Sequence, residues 1–214
     1  MGACCSAPPV SEAYRPGQPI RILILGLDNA GATTLLYRLK MNKMIVTVPT
    51  LGAVEETIGW GGDEITFHDL GGTDKLRPLW PMYQEGMHGV IYVVDAADRA
   101  SVSTSRQELR RFFRAATELH NAPLLVLANK QDVEGALSPE QVRRELALDD
   151  LSCRTAQVAA CSAVTGRGLR EGIDWIVREI KNPSPSPRRS FTNFPGRASI
   201  TRLVRAAGPS SNRV

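Results

Sequence analysis

Nine consecutive residues of this chain have the types and spacing to hold a phosphate group: Gly26, Leu27, Asp28, Asn29, Ala30, Gly31, Ala32, Thr33 and Thr34. They follow the run Ile20-Arg-Ile-Leu-Ile-Leu25 and lead into Leu35, Leu36 and Leu39, an order that predicts strand, glycine-framed loop and helix start. The two glycines let the backbone fold back so that successive N–H groups point inward at an anion, and the positive end of the following helix adds to the attraction. The spacing is that of the P-loop pattern G-x-x-x-x-G-K-[ST], with one departure: Ala32 stands where the pattern has lysine. The cradle is kept and its point charge is lost.

Four further signatures carry compatible chemistry. Pro49-Thr50-Leu51-Gly52 supplies a hydroxyl, on Thr50, that could complete a magnesium shell. Asp69-Leu-Gly-Gly72 puts a carboxylate at a strand end, where it can hold magnesium through water, and a glycine whose N–H can meet a terminal phosphate. Asn129-Lys130-Gln131-Asp132 follows the apolar run Leu124–Ala128, and Cys161-Ser162-Ala163 closes another. Asp132 can accept two N–H bonds from a guanine edge, which adenine does not offer, so the expected base is guanine.

The elements that must position these residues are legible as alternating strands and helices. Strands are expected at 20–25, 53–59, 63–69, 88–94, 123–128 and 156–161, and helices at 33–41, 101–118, 138–147 and 168–181. Gly59-Trp60-Gly61-Gly62-Asp63 predicts an antiparallel hairpin, and the rest predicts crossover units around a mainly parallel sheet with helices on both faces. Gly26, Asp69 and Asn129 then all fall at carboxyl ends of strands, where such sheets bind ligands.

Composition narrows the class. Of the 26 basic residues, Arg188, Arg189, Arg197, Arg202, Arg205 and Arg213 lie beyond residue 182 with no acid among them, so 20 basic against 22 acidic remain in residues 1–182. The basic character belongs to the C-terminal stretch, and no nucleic-acid partner is expected. Four cysteines, two of them the adjacent Cys4 and Cys5, make no disulfide framework, and a reducing compartment is expected. No stretch is long and apolar enough to span a membrane.

Taken in this order, the signatures resemble the Arf and Arf-like family of small GTPases. The likeness runs from about residue 20 to 181 and is closest in Gly26-Leu-Asp, Leu35-Leu-Tyr, Val48-Pro-Thr-Leu-Gly, Asp74-Lys-Leu-Arg-Pro-Leu-Trp80, Ala128-Asn-Lys-Gln-Asp and Gly168-Leu-Arg-Glu-Gly. It implies an α/β P-loop small-GTPase fold with a six-stranded, mostly parallel sheet, binding GTP or GDP with Mg2+. It also implies that Thr33 and Thr50 ligate magnesium, that the backbone from Asp28 to Thr34 wraps the phosphates and that Gly72 senses the γ-phosphate. By the same likeness Asn129, Lys130 and Asp132 frame guanine, with Ser162 and Ala163 beside the base and the Ala163 N–H donated to its oxygen. Residues 44–53 and 70–84 resemble the two switches that meet effectors and regulators, and the hairpin between them resembles the family's moving interswitch.

Three departures qualify that likeness. Ala32 replaces the P-loop lysine, and Thr73 replaces the glutamine that orients the attacking water, leaving a degenerate catalytic position. The family's effector-face trio of Phe, Trp and Tyr appears as Ala53, His68 and Tyr83. Lys75 and Arg77 are candidate substitute cations, and the alternative to a hydrolysis-poor nucleotide switch is a pseudo-GTPase scaffold holding little or no nucleotide. His68, His88 and His120 have no metal spacing, and the tryptophans suit packing or partner contacts.

The ends carry their own signals. Met1-Gly2-Ala-Cys4-Cys5-Ser6 fits the N-myristoylation pattern at Gly2, with Cys4 and Cys5 as palmitoylation candidates, and two acyl chains hold where one does not. The expected organisation is an acylated tether at 1–19, a GTPase domain at 20–182 and a basic Pro/Ser/Arg-rich tail at 183–214. The expected setting is the cytoplasmic face of a membrane, which the tail could also touch, with the protein itself a monomer.

Overall fold

The computed structural model describes residues 14–41, 47, 50, 52–151 and 153–184. Six strands form one sheet in the order β2-β3-β1-β4-β5-β6: β1 Ile20–Gly26, β2 Ala53–Trp60, β3 Asp63–Leu70, β4 Gly89–Asp95, β5 Pro123–Asn129 and β6 Thr155–Ala160. Only the β2–β3 pair is antiparallel. Its connection is the two-residue turn Gly61-Gly62, with φ of 58° and 91°, a conformation that glycine adopts without strain and that matches the strand twist.

The apolar runs decide which strands lie inside. β5 is buried along its whole length and β1 at all but Arg21, as expected for parallel strands covered on both faces. β2, at the edge, alternates exposed and half-buried residues. Four helices cover the sheet: α1 Ala32–Met41, α2 Arg99–Ala115, α3 Pro139–Leu146 and α4 Leu169–Lys181. The sheet divides two apolar clusters. One gathers Leu35, Leu36, Phe67, Ile173 and Ile176 under α1 and α4; the other gathers Trp80, Tyr92, Leu109, Phe112 and Phe113 under α2 and α3.

Several expectations shift. The helix expected at 101–118 is two elements: α2 ends at Ala115, and Thr117–Asn121 forms a separate 3-10 turn. Apolar spacing runs on through Leu119, but the Ala116 backbone, at φ −84° and ψ 68°, leaves the helix. Arg77–Tyr83 is also a 3-10 helix, hidden in sequence by Pro78 and Pro81. The tether drawn at 1–19 is folded from Tyr14 onward, since Tyr14 packs edge-on against His88 at 5.7 Å and a turn joins Gln18 to Arg15. At the other end Ser184 is still bonded to α4. Gly2, Cys4, Cys5 and the arginines beyond 184 lie outside the described residues. Neither Cys153 nor Cys161 forms a disulfide among the described residues.

Candidate functional site

The cleft at the carboxyl ends of β1, β3 and β5 has a volume of about 420 Å3. It gathers fifteen of the sequence-selected residues: Gly26, Leu27, Asp28, Asn29, Gly31, Ala32, Thr33, Thr34, Thr50, Asp69, Gly72, Asn129, Lys130, Asp132 and Ala163. Ala30 and Ser162 are buried just behind it, at 2% exposure each. Thr47, Leu70, Gly71 and Val164 also line the cleft; Leu70 and Gly71 are the middle residues of the Asp69–Gly72 signature, and Thr47 lies within the 44–53 segment.

The loop after β1 is built by its special residues. Asn29 and Gly31 take positive φ, 62° and 94°, and the Leu35 N–H then donates to Gly31 O at 2.9 Å as α1 begins. A Cβ on Gly31 would collide with the Asn129 side-chain nitrogen, so the glycine is required by packing as well as by conformation. Gly72 is closer still: a Cβ there would strike the carbonyl of Gly26 and, at 2.7 Å, the Asp28 nitrogen. The Asp69–Gly72 loop therefore lies directly against the phosphate loop. Two side chains pin it from below, since Trp80 Nε1 donates to Gly71 O at 3.0 Å and Arg77 Nε to Gly72 O at 2.7 Å.

Three oxygens converge at the start of α1. Thr33 Oγ1 donates to Asp69 Oδ2 at 2.7 Å, Thr50 Oγ1 donates to the same oxygen at 3.3 Å, and the two hydroxyls are 2.8 Å apart. The other carboxylate oxygen, Asp69 Oδ1, is buried with no hydrogen-bond partner among the described residues. Burial pushes the Asp69 pKa up to about 6, against the lowering effect of the two threonine hydroxyls. An all-oxygen donor set with an unsatisfied buried carboxylate oxygen suits a small hard cation such as Mg2+. No group of three or more His, Cys, Asp and Glu among the described residues is arranged to hold a metal ion.

At the base end, Asn129 makes contacts that its motif alone does not specify. Its side chain is almost wholly buried and fully engaged: Nδ2 donates to Ala30 O at 2.8 Å, while Oδ1 accepts from the Ala163 N–H at 2.9 Å. Asn129 thus ties the phosphate loop to the loop after β6, and the Ala163 N–H, expected to be offered to a base, is donated to Asn129. Lys130, at φ 65°, pairs with Asp95 Oδ2 at 2.5 Å. Sequence reasoning missed Asp95, although it sits at the carboxyl end of β4, where the strand-end rule points. Arg38 was missed too; it reaches from α1 to Thr165 O at 2.8 Å and braces the loop after β6.

The lost lysine has no replacement on the described wall. Lys130 is the single cation among the described lining residues, and it sits at the base end. Arg77 is committed to Gly72 O and, at 2.5 Å, to Asp74, with its side chain 12% exposed. Lys75 is exposed. Thr73 uses its carbonyl to hold the Leu76 and Arg77 N–H groups. On the expected effector face Ala53 and Tyr83 are exposed and His68 is buried, with Nδ1 3.4 Å from Glu55. Burial lowers the His68 pKa, with the Glu55 charge opposing.

Comparison with known proteins agrees with this geometry. The model of Arf, the ADP-ribosylation factor family, matches residues 10–180. Among solved structures, the Arl6 (BBS3) small GTPase from Trypanosoma brucei, with the nucleotide analogue GppNp bound, is similar at 27% identity and a TM-score of 0.71. That match covers 78% of this chain and all of the other. With its P-loop at the end of β1, Asp69 at the end of β3 and Asn129 at the end of β5, the chain belongs to the ADP-ribosylation factor family, whose Arf-like members bind guanine nucleotides.

Proposed function

We propose that this protein is a membrane-tethered guanine-nucleotide switch, acting in trafficking or signalling, that binds GTP or GDP and hydrolyses GTP poorly or not at all. The observation that supports it most is the contrast within one cleft. The backbone cradle, the Thr33–Thr50–Asp69 oxygens and the Asn129 clamp are assembled, whereas the two side chains that serve the reaction are replaced by Ala32 and Thr73. Phosphoryl transfer depends on positioning the attacking water and on stabilising charge at the phosphates. A threonine hydroxyl is too short to take the glutamine's place, and no described lining side chain supplies a cation at the phosphate end.

In this reading Thr33, Thr50 and Asp69 would hold Mg2+, which when bound neutralises phosphate charge. The N–H groups of residues 28–34 orient the phosphates, and Gly72 meets the terminal one. Asp132 selects guanine, and Lys130, held by Asp95, lies along the base. Residues 44–53 and 70–84 present the nucleotide state to effectors and regulators. Gly2, Cys4 and Cys5 carry the acyl anchor of a tether, residues 20–182 form the switch domain, and the basic residues from 183 onward add a weaker contact at the cytoplasmic membrane face.

The test is the nucleotide content of freshly isolated protein, released by denaturation and separated by chromatography, followed by a multiple-turnover hydrolysis assay. GTP or GDP near one per chain with negligible turnover is the expected result. Turnover at an ordinary small-GTPase rate would overturn the hydrolysis reading. An empty site that stays empty in millimolar GTP and Mg2+ would favour the scaffold reading instead.

A further inference from the structure

The chain leaves the described domain at Ser184, and the way it is held there is unusual. Glu179, near the end of α4, is 7% exposed. Its carboxylate accepts from the two donors of one residue: Oε1 from the Ser184 hydroxyl at 2.8 Å and Oε2 from the Ser184 N–H at 3.3 Å. The cation nearby, Arg154, spends Nη2 on the Glu179 backbone carbonyl at 2.5 Å, and its Nε is buried without a partner among the described residues. A buried carboxylate is thus satisfied by a serine that is itself exposed.

Ser184 stands in Pro183-Ser-Pro-Ser-Pro-Arg-Arg189. A proline after the serine biases it towards extended backbone, the form in which a protein kinase takes its peptide substrate, and it is also the feature by which one class of serine kinases chooses its target. We propose that Ser184 is the substrate of a proline-directed serine kinase, and that its phosphorylation frees the end of α4 at Asn182–Ser184. In the transfer Ser184 Oγ attacks the γ-phosphorus of ATP. The Oγ–P bond forms, the bond from the γ-phosphorus to the bridging oxygen breaks to release ADP, and the hydroxyl proton passes to the kinase's carboxylate base.

Two effects act together. The hydroxyl hydrogen that Glu179 accepts is gone, and a group of about −1.5 to −2 charges at neutral pH takes its place against a buried carboxylate, where like charges repel. The Ser184 N–H contact to Oε2 is then pulled away with it. Losing one hydrogen bond to a charged group raises a local opening equilibrium by roughly tenfold or more. This inference does not depend on nucleotide binding.

The full chain, as wild type and as Ser184→Ala, Ser186→Ala and Glu179→Gln, is treated with a proline-directed kinase and ATP. The site is located by mass spectrometry of the tryptic peptide 182–188, and amide hydrogen exchange is followed at Ser184 and at Asn182, whose N–H donates to Arg178 O at 2.8 Å. The Ser186→Ala chain is expected to take phosphate on Ser184, and exchange at 182–184 to quicken by well over tenfold, beyond the effect of losing the hydroxyl hydrogen bond alone, tracking the open population. Unphosphorylated Ser184→Ala and phosphorylated Glu179→Gln should each quicken less. Phosphate confined to Ser186 would overturn the assignment of the site. Unchanged exchange, slowed exchange from capture of the phosphate by Arg154, or an effect of Ser184→Ala as large as that of the phosphate would overturn the release.

Discussion

Ala32 and Asp69 are the two residues whose chemistry most affects what the cleft holds. Truncating one partner of a buried, hydrogen-bonded charge pair costs about 2 to 5 kcal/mol. Restoring the cation with Ala32→Lys should therefore tighten GTP and GDP by roughly thirty- to several-thousandfold, measured from nucleotide dissociation rates and equilibrium titration. Turnover should stay low in that variant and rise when Thr73→Gln is added, because lysine does not orient water.

Asp69 gives a pH dependence. Its folded pKa, about 6, lies above the ordinary value of 3.8, so its contribution to stability is fully present below about pH 4 and is lost as pH rises to about 6. The penalty at neutral pH is about 3 kcal/mol. Stripped of nucleotide and magnesium, the wild type should lose that much relative to Asp69→Asn between pH 4 and pH 7 in urea melts. Equal slopes for the two proteins would contradict it.

Asn129 shows what residue spacing conceals. Its motif marks it as a base-site residue, but its contacts with the Ala30 and Ala163 backbones join positions 99 and 34 residues away along the chain. Only the closed sheet brings those backbone groups together. Asp69, Gly72 and Lys130 were legible because a strand end is a position that sequence does mark.

At the scale of elements, legibility followed periodicity. β1, β4 and β5 emerged from apolar runs because parallel strands buried on two faces have few polar interruptions, β2 and β3 from the glycine turn between them, and the ends of all six lie within a residue or so of the expected ones. The 3-10 helix Arg77–Tyr83 has no such period, and its place is fixed by tertiary bonds from Trp80 and Arg77 to the loop above. α2 owes its start to Asp98, whose carboxylate accepts from the Ala100 N–H at 3.0 Å and the Ser101 N–H at 3.4 Å. Asp98→Ala removes that cap and should cost about 1 kcal/mol. In a domain of this size the loss lowers the melting temperature by roughly 2 to 4 °C. Calorimetry of the two proteins checks it, and Asp98→Ser should recover most of the difference.

For the molecule as a whole, the proposed membrane hold rests on Gly2, Cys4 and Cys5. One myristoyl chain gives only marginal binding, so Cys4→Ser with Cys5→Ser should leave a weak, reversible association, and Gly2→Ala should abolish it. Fractionation of cells expressing each variant measures this. Retention of Gly2→Ala on membranes would shift the anchor to the arginines beyond 184.

The sheet that separates the two apolar clusters has a genetic consequence. The phosphate loop rests on one side, through Ala30, Ala32 and Leu35, while Leu70 and Trp80, in the segment that resembles the second switch, rest on the other. Inherited or engineered lesions should sort accordingly. Leu36→Ala, beneath the first side, should yield a protein that loses its nucleotide faster, whereas Phe112→Ala, beneath the second, should keep the nucleotide but present its state poorly to partners. Holding a signal and announcing it would then be two separable phenotypes of one small domain.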